Sequence, residues 1–250
     1  YQPYIFADDI VSGVAPRFFM KGLDQSIVKR SEFPKGFDKF WKLSMRTGQM
    51  YGDWAKSTLE LSGLEPKKTS VFEMACNSGY LLFSMKQLGV QDCVGVDQAD
   101  LVRQQAILKQ VTGIDDVDFR QGRWLSESHS IDGMDGGEEY DIVMCTAFAQ
   151  HISDPLHLFR ELSARTKRAL FLHTTVGYFN FGMRITYRPT PWHGTWGDKF
   201  PNNMDTRVSR KLLMWSLKEC GFKEIIQLKY QRGWLPRMWY NQFSTLVCLK

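Results

Sequence analysis

Val71-Phe-Glu-Met-Ala-Cys-Asn-Ser-Gly-Tyr80 is the stretch that decides the fold of this chain. An apolar run enters it, small and polar residues fill its middle, and an amphipathic helical pattern follows it. It therefore predicts a strand, a tight turn and a helix. A second apolar strand, at 93–96, ends on Asp97, 24 positions after Glu73 (97 − 73). This spacing is typical of the ribose-binding acid in a βαβ unit that holds a nucleoside cofactor.

The charge of the turn indicates which cofactor it holds. A dinucleotide site places glycines and bare helix N–H groups against a pyrophosphate, and this stretch lacks a full G-x-G-x-x-G. It carries Glu73 instead, whose carboxylate would repel phosphate and attract an ammonium or sulfonium group. S-adenosylmethionine is such a ligand, and its ribose hydroxyls can donate to Asp97. The small residues Ala75, Ser78 and Gly79 leave room for close backbone approach.

The turn and the strand end resemble two motifs of the class I S-adenosylmethionine-dependent methyltransferases. Segment 73–79, Glu-x-Ala-x-Asn-x-Gly, is similar to their motif I, and segment 94–97, Val-Gly-Val-Asp, is similar to the acidic end of their second strand. Ala75 stands where the family usually has glycine. We expect this departure to require a negative φ at Ala75 or a slightly wider turn.

Later segments follow the order of the same family. Segment 140–147 resembles its fourth-strand motif, and segment 150–155 resembles the histidine-containing loop that opens the next helix. The resemblance implies an α/β, Rossmann-like, doubly wound sheet of seven mostly parallel strands with an antiparallel terminal strand. It also implies an N-terminal helical cap over residues 1–65 and a methyltransferase domain over residues 66–250.

Strand and helix patterns alternate along the second half of the chain, which favours a parallel sheet. Residues 126–139 are rich in turn formers and acids, so we expect a solvated loop without chemistry. Asp154 and Pro155 suit the start of a helix. Further predicted elements are helices at 80–88, 101–111 and 209–220, and strands at 117–120, 169–172, 225–229 and 243–249.

Composition narrows the class of protein. A chain of 250 residues is long enough for one good core, and its net charge of +5 permits an anionic partner without requiring nucleic acid. The five cysteines form no C-x-x-C pair and the five histidines no compact ligand motif, so reduced cysteines and no metal are predicted. No apolar run approaches the roughly 20 residues of a membrane span, and no leader pattern follows Tyr1. We expect a soluble, cytoplasmic protein.

Residues 174–206 form an aromatic and arginine-rich segment that is too long for a plain connection. We predict that it binds the methyl acceptor. The alternative is that its rings pack on an exposed sheet edge or against a homodimer partner. Tyr51, from the N-terminal helical region, either lines the same site or anchors its helix to the domain. The predicted acceptor-binding residues are Tyr51, Arg184, Tyr187, Trp192, His193 and Trp196.

Methyl transfer from a sulfonium is a direct displacement, so the protein must mainly align the acceptor and exclude water. A hydroxyl acceptor benefits from a general base, and imidazole suits that task. His151 follows the fourth strand and His173 ends the fifth, so both are candidate bases, with His151 ranked first. Either can instead be structural, and an amine or carbon acceptor needs neither.

The cofactor site is predicted at successive strand ends, because open α/β sheets bind ligands at the carboxyl ends of their strands. Glu73, Gly79, Asp97 and Asp141 form an ordered set there. Trp124 either stacks on the adenine or anchors the core, and Arg123 occupies a place where the family often has an acid. The predicted cofactor-binding residues are Glu73, Ala75, Asn77, Gly79, Tyr80, Asp97, Gln98, Gly122, Arg123, Trp124, Thr146 and Ala147.

The sequence thus predicts an S-adenosylmethionine-dependent methyltransferase that modifies oxygen or nitrogen of a small molecule. Segment 76–80 is also similar to enzymes that modify the wobble uridine of tRNA, and Arg184, Arg188, Arg207 and Arg210 are compatible with that alternative. A second alternative is a cofactor-binding module of a larger synthase without transfer activity of its own.

Overall fold

The structure of this protein is a computed structural model that describes residues 5–7, 10–11, 28–29, 38–98, 102–187, 204–228 and 243–250. Its helices are α1 (Asp38–Ser62), α2 (Tyr80–Gln87), α3 (Val102–Thr112), α4 (Pro155–Ala164) and α5 (Arg210–Glu219). Its strands are β1 (Ile5–Ala7), β2 (Ile10–Val11), β3 (Val28–Lys29), β4 (Ser70–Met74), β5 (Asp92–Asp97), β6 (Val117–Gln121), β7 (Trp124–Leu125), β8 (Ser130–Ile131), β9 (Tyr140–Thr146), β10 (Thr166–Gly177), β11 (Met183–Tyr187), β12 (Met204–Ser209), β13 (Glu224–Gln227) and β14 (Phe243–Leu249). None of the described helices has the length and apolar character needed to cross a membrane.

Seven strands form the central sheet in the order β6-β5-β4-β9-β10-β14-β13. The pairs β5/β6, β4/β5, β4/β9 and β9/β10 are parallel, and β14 runs antiparallel to both of its neighbours. The predicted seven-stranded, mostly parallel sheet with an antiparallel terminal strand is confirmed. The chain builds outward from β4 to β6 and then returns to place β9 on the other side of β4. Such a reversal of strand order opens a crevice at the carboxyl ends of the two central strands.

Both faces of the sheet are buried, because successive side chains of a strand point to opposite faces. Val71 of β4 packs in a cluster with residues of α1 and α2, while its neighbour Phe72 packs in a second cluster with residues of α4 and α5. Both side chains are fully buried. The result is a three-layer arrangement in which α1 and α2 cover one face and α4 and α5 cover the other.

Strand β10 is longer than the apolar pattern at 169–172 predicts, because it continues to Gly177. Its last two residues pair with β12, which forms an antiparallel hairpin with β11. The segment 174–206, predicted as an acceptor-binding loop, therefore begins as strand and contains this hairpin. Residues 188–203 lie outside the described part of the chain. Residues 126–139, predicted as a loop, likewise contain β8, which pairs with β7.

The turn between β4 and α2 holds three residues in the left-handed backbone region. Ala75, Asn77 and Gly79 have φ values of 58°, 52° and 82°. Of the two alternatives expected for Ala75, a negative φ or a slightly wider turn, the negative φ is wrong, since this alanine adopts the conformation that glycine would supply at lower cost. Gly79 is also tightly enclosed, because a Cβ atom there would lie 2.4 Å from Cζ of Phe119.

Replacing Gly79 with Ala should lower the free energy of unfolding by about 2–4 kcal/mol, since the left-handed φ and the contact with Phe119 both oppose a side chain. Gly63→Ala is the matched control, because Gly63 has a φ of 68° and an added Cβ would meet no described atom within 4 Å. We expect a loss of about 1–2 kcal/mol there. Urea titrations that gave equal losses for the two variants would contradict the close packing of Gly79.

Candidate active site

Four polar side chains meet near the carboxyl edge of the sheet, on the face covered by α1 and α2. Alternation along the strands places Glu73 on the face of Val71, and Thr146 and His173 on the same face from β9 and β10. Asp97 ends β5 on this face as well. The strand register brings Thr146 directly beside His173. The crevice expected at this edge is therefore lined by acids, a hydroxyl and an imidazole.

Asp97 fixes the turn that precedes α2. Its Oδ2 atom accepts a hydrogen bond from the backbone N–H of Asn77 at 2.9 Å, and its own carbonyl accepts from the N–H of Gly122 at 3.0 Å. The N–H of Cys76 also donates to the carbonyl of Val96. One strand end thus holds both the turn after β4 and the segment after β6, which are two separate walls of the crevice.

Glu73 is buried in an environment that disfavours its charge. Glu73 is only 3% exposed to solvent. Its neighbours on the adjacent strands are Gly95 of β5 and Met144 of β9. Burial, reinforced by the nearby carboxylate of Asp97, raises the pKa of Glu73 well above its ordinary value. A cation placed between these two acids would favour the ionised form of Glu73.

Several buried polar atoms at this edge have no hydrogen-bond partner among the described residues. A buried polar group left in this state typically costs about 1–3 kcal/mol, so such atoms in native proteins usually pair with protein, ordered water or a ligand. The atoms are Glu73 Oε2, Asn77 Oδ1, Ser78 Oγ and Thr146 Oγ1. Carboxylate and amide oxygens accept hydrogen bonds, and hydroxyls both donate and accept, so the group suits a ligand that carries donors and positive charge.

Asp141 does not belong to this site, contrary to the sequence prediction. It lies near the amino end of β9, and its Oδ2 atom accepts hydrogen bonds of 2.8 Å from both the N–H and the hydroxyl of Ser70. Ser70 begins β4. Asp141 therefore joins the two central strands at the edge of the sheet opposite to the crevice.

His173 is enclosed by aromatic rings instead of ending its strand at an open mouth. Its ring lies 4.7 Å from that of Trp54 and stacks on Phe243 at 5.1 Å, and its Nδ1 atom is 2.9 Å from the hydroxyl of Thr245. Burial lowers its pKa to about 3. A neutral imidazole of such low basicity is poorly matched to general-base catalysis near neutral pH. Sequence inspection missed Thr245, because it lies 72 residues away along the chain.

His151 is exposed at the end of a short 3-10 turn that follows β9. Its Nε2 atom is 3.4 Å from the side-chain amide nitrogen of Gln150. Gln150 in turn accepts a hydrogen bond of 3.2 Å from the N–H of Thr175, which anchors the loop to β10. The next residue, Ile152, accepts a hydrogen bond from the hydroxyl of Thr206 on β12. The loop carrying His151 is thus tied to the strands that border the predicted acceptor region.

Tyr51 and Tyr80 form an aromatic wall where α1 meets the start of α2. The ring of Tyr51 contacts those of Trp54 and Tyr80 edge to face, at centroid distances of 5.2 and 5.8 Å. Burial raises the pKa of the Tyr80 hydroxyl. Since Trp54 also contacts His173, the wall extends from α2 across α1 to β10.

Trp124 has the structural role that the sequence left as an alternative to adenine stacking. It is buried in the core cluster beneath α4 and α5, and its indole N–H donates to Oδ1 of Asp154 at 3.1 Å. Arg123 is exposed, while Gly122 is buried against the carbonyl of Asp132. Gln98 stands beside Asp97, and its carbonyl lies 3.5 Å from the side-chain nitrogen of Gln121. Gln98 and Gly122 therefore stay next to the crevice.

Ala147 has a φ of 54°, and its N–H donates to the carbonyl of His173 at 2.7 Å. This bond turns the chain away from the sheet directly after Thr146. Among the predicted acceptor residues, Arg184 is exposed on β11. The side chain of Tyr187 and all of Trp192, His193 and Trp196 lie outside the described residues.

Comparison with known proteins agrees with this fold. A search of curated proteins finds no match. Structural likeness is found to the N-terminal domain of EvdMO1 with bound SAH, at 17% identity, a TM-score of 0.58, and 89% and 86% coverage of this chain and of that chain. Magnesium protoporphyrin IX methyltransferase from Synechocystis PCC 6803 with bound SAH is similar at 16% identity, a TM-score of 0.57, and 86% and 94% coverage. The glycopeptide N-methyltransferase MtfA is similar at 13% identity, a TM-score of 0.51, and 79% and 89% coverage.

These structural likenesses, at such low identity, concern the fold alone. The family profile described as "Methyltransferase domain" matches the sequence itself, over residues 46–228. That range runs from within α1 to just beyond β13 and so includes every residue of the crevice described above, except those of β14. The chain therefore belongs to the methyltransferase-domain family, with the sheet of the class I S-adenosylmethionine-dependent methyltransferases.

Proposed function

We propose that this chain transfers a methyl group from S-adenosylmethionine to an oxygen or nitrogen atom of a small molecule. The observation that carries the proposal is the group of unpartnered polar atoms, from Glu73 Oε2 to Thr146 Oγ1, beside the carboxylate of Asp97. S-adenosylmethionine is the methyl donor of the family to which the chain belongs. The names of two structural neighbours, a magnesium protoporphyrin IX methyltransferase and a glycopeptide N-methyltransferase, are compatible with small acceptors.

The residues present fit this cofactor in charge and in hydrogen bonding. Glu73 and Asp97 offer two acids where the cofactor has an ammonium group and ribose hydroxyls. Asn77 Oδ1 and Ser78 Oγ, in the left-handed turn, offer further oxygens to its amino acid end. Thr146 and Ala147 border the position of the methyl donor. When bound, the cofactor supplies an electrophilic methyl group on a sulfonium.

The contribution of the chain to methyl transfer is alignment and exclusion of water. The wall of Tyr51, Trp54 and Tyr80 covers the crevice from the side of α1 with apolar surface. His151, on a loop anchored through Gln150 to β10, is the candidate base for a hydroxyl acceptor. His173 is assigned instead to packing and to orienting this wall, because its pKa near 3 leaves it neutral.

Asp97→Asn should weaken S-adenosylmethionine binding about 10- to 100-fold, because a charge-assisted contact to the ribose is lost. The asparagine oxygen can still accept from the N–H of Asn77, so the turn should persist. Asp141→Asn is the matched control at the opposite end of the sheet, and its affinity should equal that of the wild type. Isothermal titration calorimetry measures both. Unchanged affinity in Asp97→Asn would remove the cofactor assignment.

Glu73→Gln should stabilise the protein without cofactor and weaken cofactor binding. The folded pKa of Glu73 is raised, so its favourable contribution is present below the unfolded pKa of about 4.3 and is lost as pH rises through the folded pKa. The unfolding free energy of the wild type should therefore fall relative to Glu73→Gln as pH rises above about 4.3. Urea titrations at pH 5 and pH 8 measure this difference. Parallel behaviour of the two proteins would contradict a buried, disfavoured carboxylate.

His151→Ala should lower kcat with a hydroxyl acceptor by about 10²- to 10⁴-fold, since a general base contributes this much. Affinity for S-adenosylmethionine should stay unchanged, because His151 lies on the acceptor side of the crevice. Stopped or coupled assays of S-adenosylhomocysteine release give kcat, and added imidazole should restore part of it. A kcat equal to that of the wild type would assign His151 to a structural role.

The acceptor class is tested by a screen of metabolites with S-adenosylhomocysteine release as readout. The same screen includes transfer RNA, for which each phosphate contact predicts a loss of binding as salt rises. Among the described arginines of that alternative, Arg207 has its charge paired with Asp205 at 2.9 Å. Cofactor binding without release on any acceptor would favour the binding module of a larger synthase.

A further inference from the structure

Two histidines and one aspartate from separate segments come together away from the crevice. His129 belongs to the turn of the β7–β8 hairpin, while Asp154 and His157 belong to the start of α4. Each offers one ligand atom, and these atoms all lie within 4.8 Å of one another. The rings of His129 and His157 stack 3.7 Å apart at an interplanar angle of 7°. Neither histidine has a role in the proposed methyl transfer.

Asp154 is held in a way that directs one oxygen toward the histidines. Its Oδ1 atom accepts hydrogen bonds from the indole N–H of Trp124 at 3.1 Å and from the hydroxyl of Ser126 at 3.0 Å. Its Oδ2 atom is buried, has no hydrogen-bond partner among the described residues, and lies 3.6 Å from Nε2 of His129. Outer hydrogen bonds that orient a carboxylate while leaving its second oxygen available are typical of metal ligands.

Two residues of this cluster also depart from the usual preferences for helix capping and for backbone φ. Asp154 precedes Pro155 at the N-terminus of α4, but its side chain makes no capping hydrogen bond, although such a bond is worth about 1 kcal/mol. His129 has a φ of 51°, a conformation that costs about 1–3 kcal/mol outside glycine. Both departures occur in residues whose ligand atoms lie within 4.8 Å of each other. His157 lies beside Asp154 because positions three apart share one face of a helix.

A simple ion pair explains this geometry less well. The separation of 3.6 Å between His129 Nε2 and Asp154 Oδ2 exceeds hydrogen-bond distance. A cation held by the carboxylate and by both ring nitrogens would satisfy all three groups, and it requires the two rings to turn out of their parallel stack because each nitrogen lone pair lies in the plane of its ring.

We propose that His129, Asp154 and His157 form a binding site for a divalent first-row transition metal ion such as Zn²⁺. Two imidazoles and one carboxylate match the ligand preference of these ions, whereas Mg²⁺ and Ca²⁺ prefer all-oxygen sites. The three residues form no compact motif in the sequence, because His129 lies 25 positions before Asp154 (154 − 129). The expectation that the chain has no metal site is therefore replaced by this proposal.

The bound ion joins two parts of the chain that border the crevice. The β7–β8 hairpin follows the segment whose Gly122 N–H is bonded to the carbonyl of Asp97. Helix α4 follows the loop that carries His151. A metal bridge between hairpin and helix fixes the distance between these two walls, and it stabilises the folded state because the unfolded chain does not hold the three ligands together.

The test uses the full chain without an affinity tag, stripped of metal with a chelator and titrated with Zn²⁺ in a calorimeter. One ion should bind per chain, and the melting temperature should rise by several degrees. Co²⁺ should give visible absorption bands on binding, and Mg²⁺ should give no heat. His129→Asn, which tolerates a left-handed φ, and Asp154→Asn, which keeps the acceptor for Trp124, should each weaken Zn²⁺ binding at least tenfold.

His151→Ala is the control for weak binding at an exposed histidine outside the site, and it should bind Zn²⁺ as tightly as the wild type. Equal Zn²⁺ affinity in the wild type, His129→Asn and Asp154→Asn would overturn the proposal, as would the absence of Zn²⁺ binding by the wild type. Neither result would bear on cofactor binding, which calorimetry of the Asp97→Asn variant tests separately.

Discussion

Glu73 and Asp97 lie near the carboxyl ends of neighbouring parallel strands on one face of the sheet, and burial removes the water that would otherwise screen their like charges. The surrounding structure accommodates this repulsion in two ways. The N–H of Asn77 donates to Oδ2 of Asp97, which offsets part of this repulsion and orients the turn. The charged form of Glu73 stays disfavoured until a cation binds beside it. Selectivity for a cationic nucleoside over a pyrophosphate thus follows from the arrangement of two acids and one turn.

Local patterns predicted most strands and helices of the central sheet, while the number of strands and the antiparallel terminal strand came from the family resemblance. The apolar run before Glu73 and the strand ending on Asp97 carry strong strand signals, and the small residues between them permit only a tight turn. Ser209 caps α5, as its sequence position predicts, by accepting from the N–H of Leu212. These features depend on contacts close in the sequence, or on the alternation that a buried parallel strand requires. They could therefore be inferred without knowledge of tertiary contacts.

The misplaced or unassigned residues depend on contacts distant along the chain. Asp141 looked like a strand-end acid, but it starts β9 and is bound by Ser70, 71 positions away. The role of His173 is set by Trp54 and Phe243, which come from opposite ends of the sequence. Trp124 is fixed by Asp154. In each case the residue type suited both a role in the active site and a structural role. The contact that the residue makes in the folded chain determines which of the two roles it has.

The position of β14 has a consequence for how the chain folds during synthesis. Residues Ala169 and Leu249 are neighbours in the sheet although 80 positions (249 − 169) separate them. One edge of β10, with its fully buried Leu170, Phe171 and Leu172, has no strand beside it until residues 243–249 leave the ribosome. At about 5–20 residues per second this takes several seconds, during which an apolar strand edge is open to mispairing. The edge of β10 is thus covered only once the last described strand of the sheet has been synthesised.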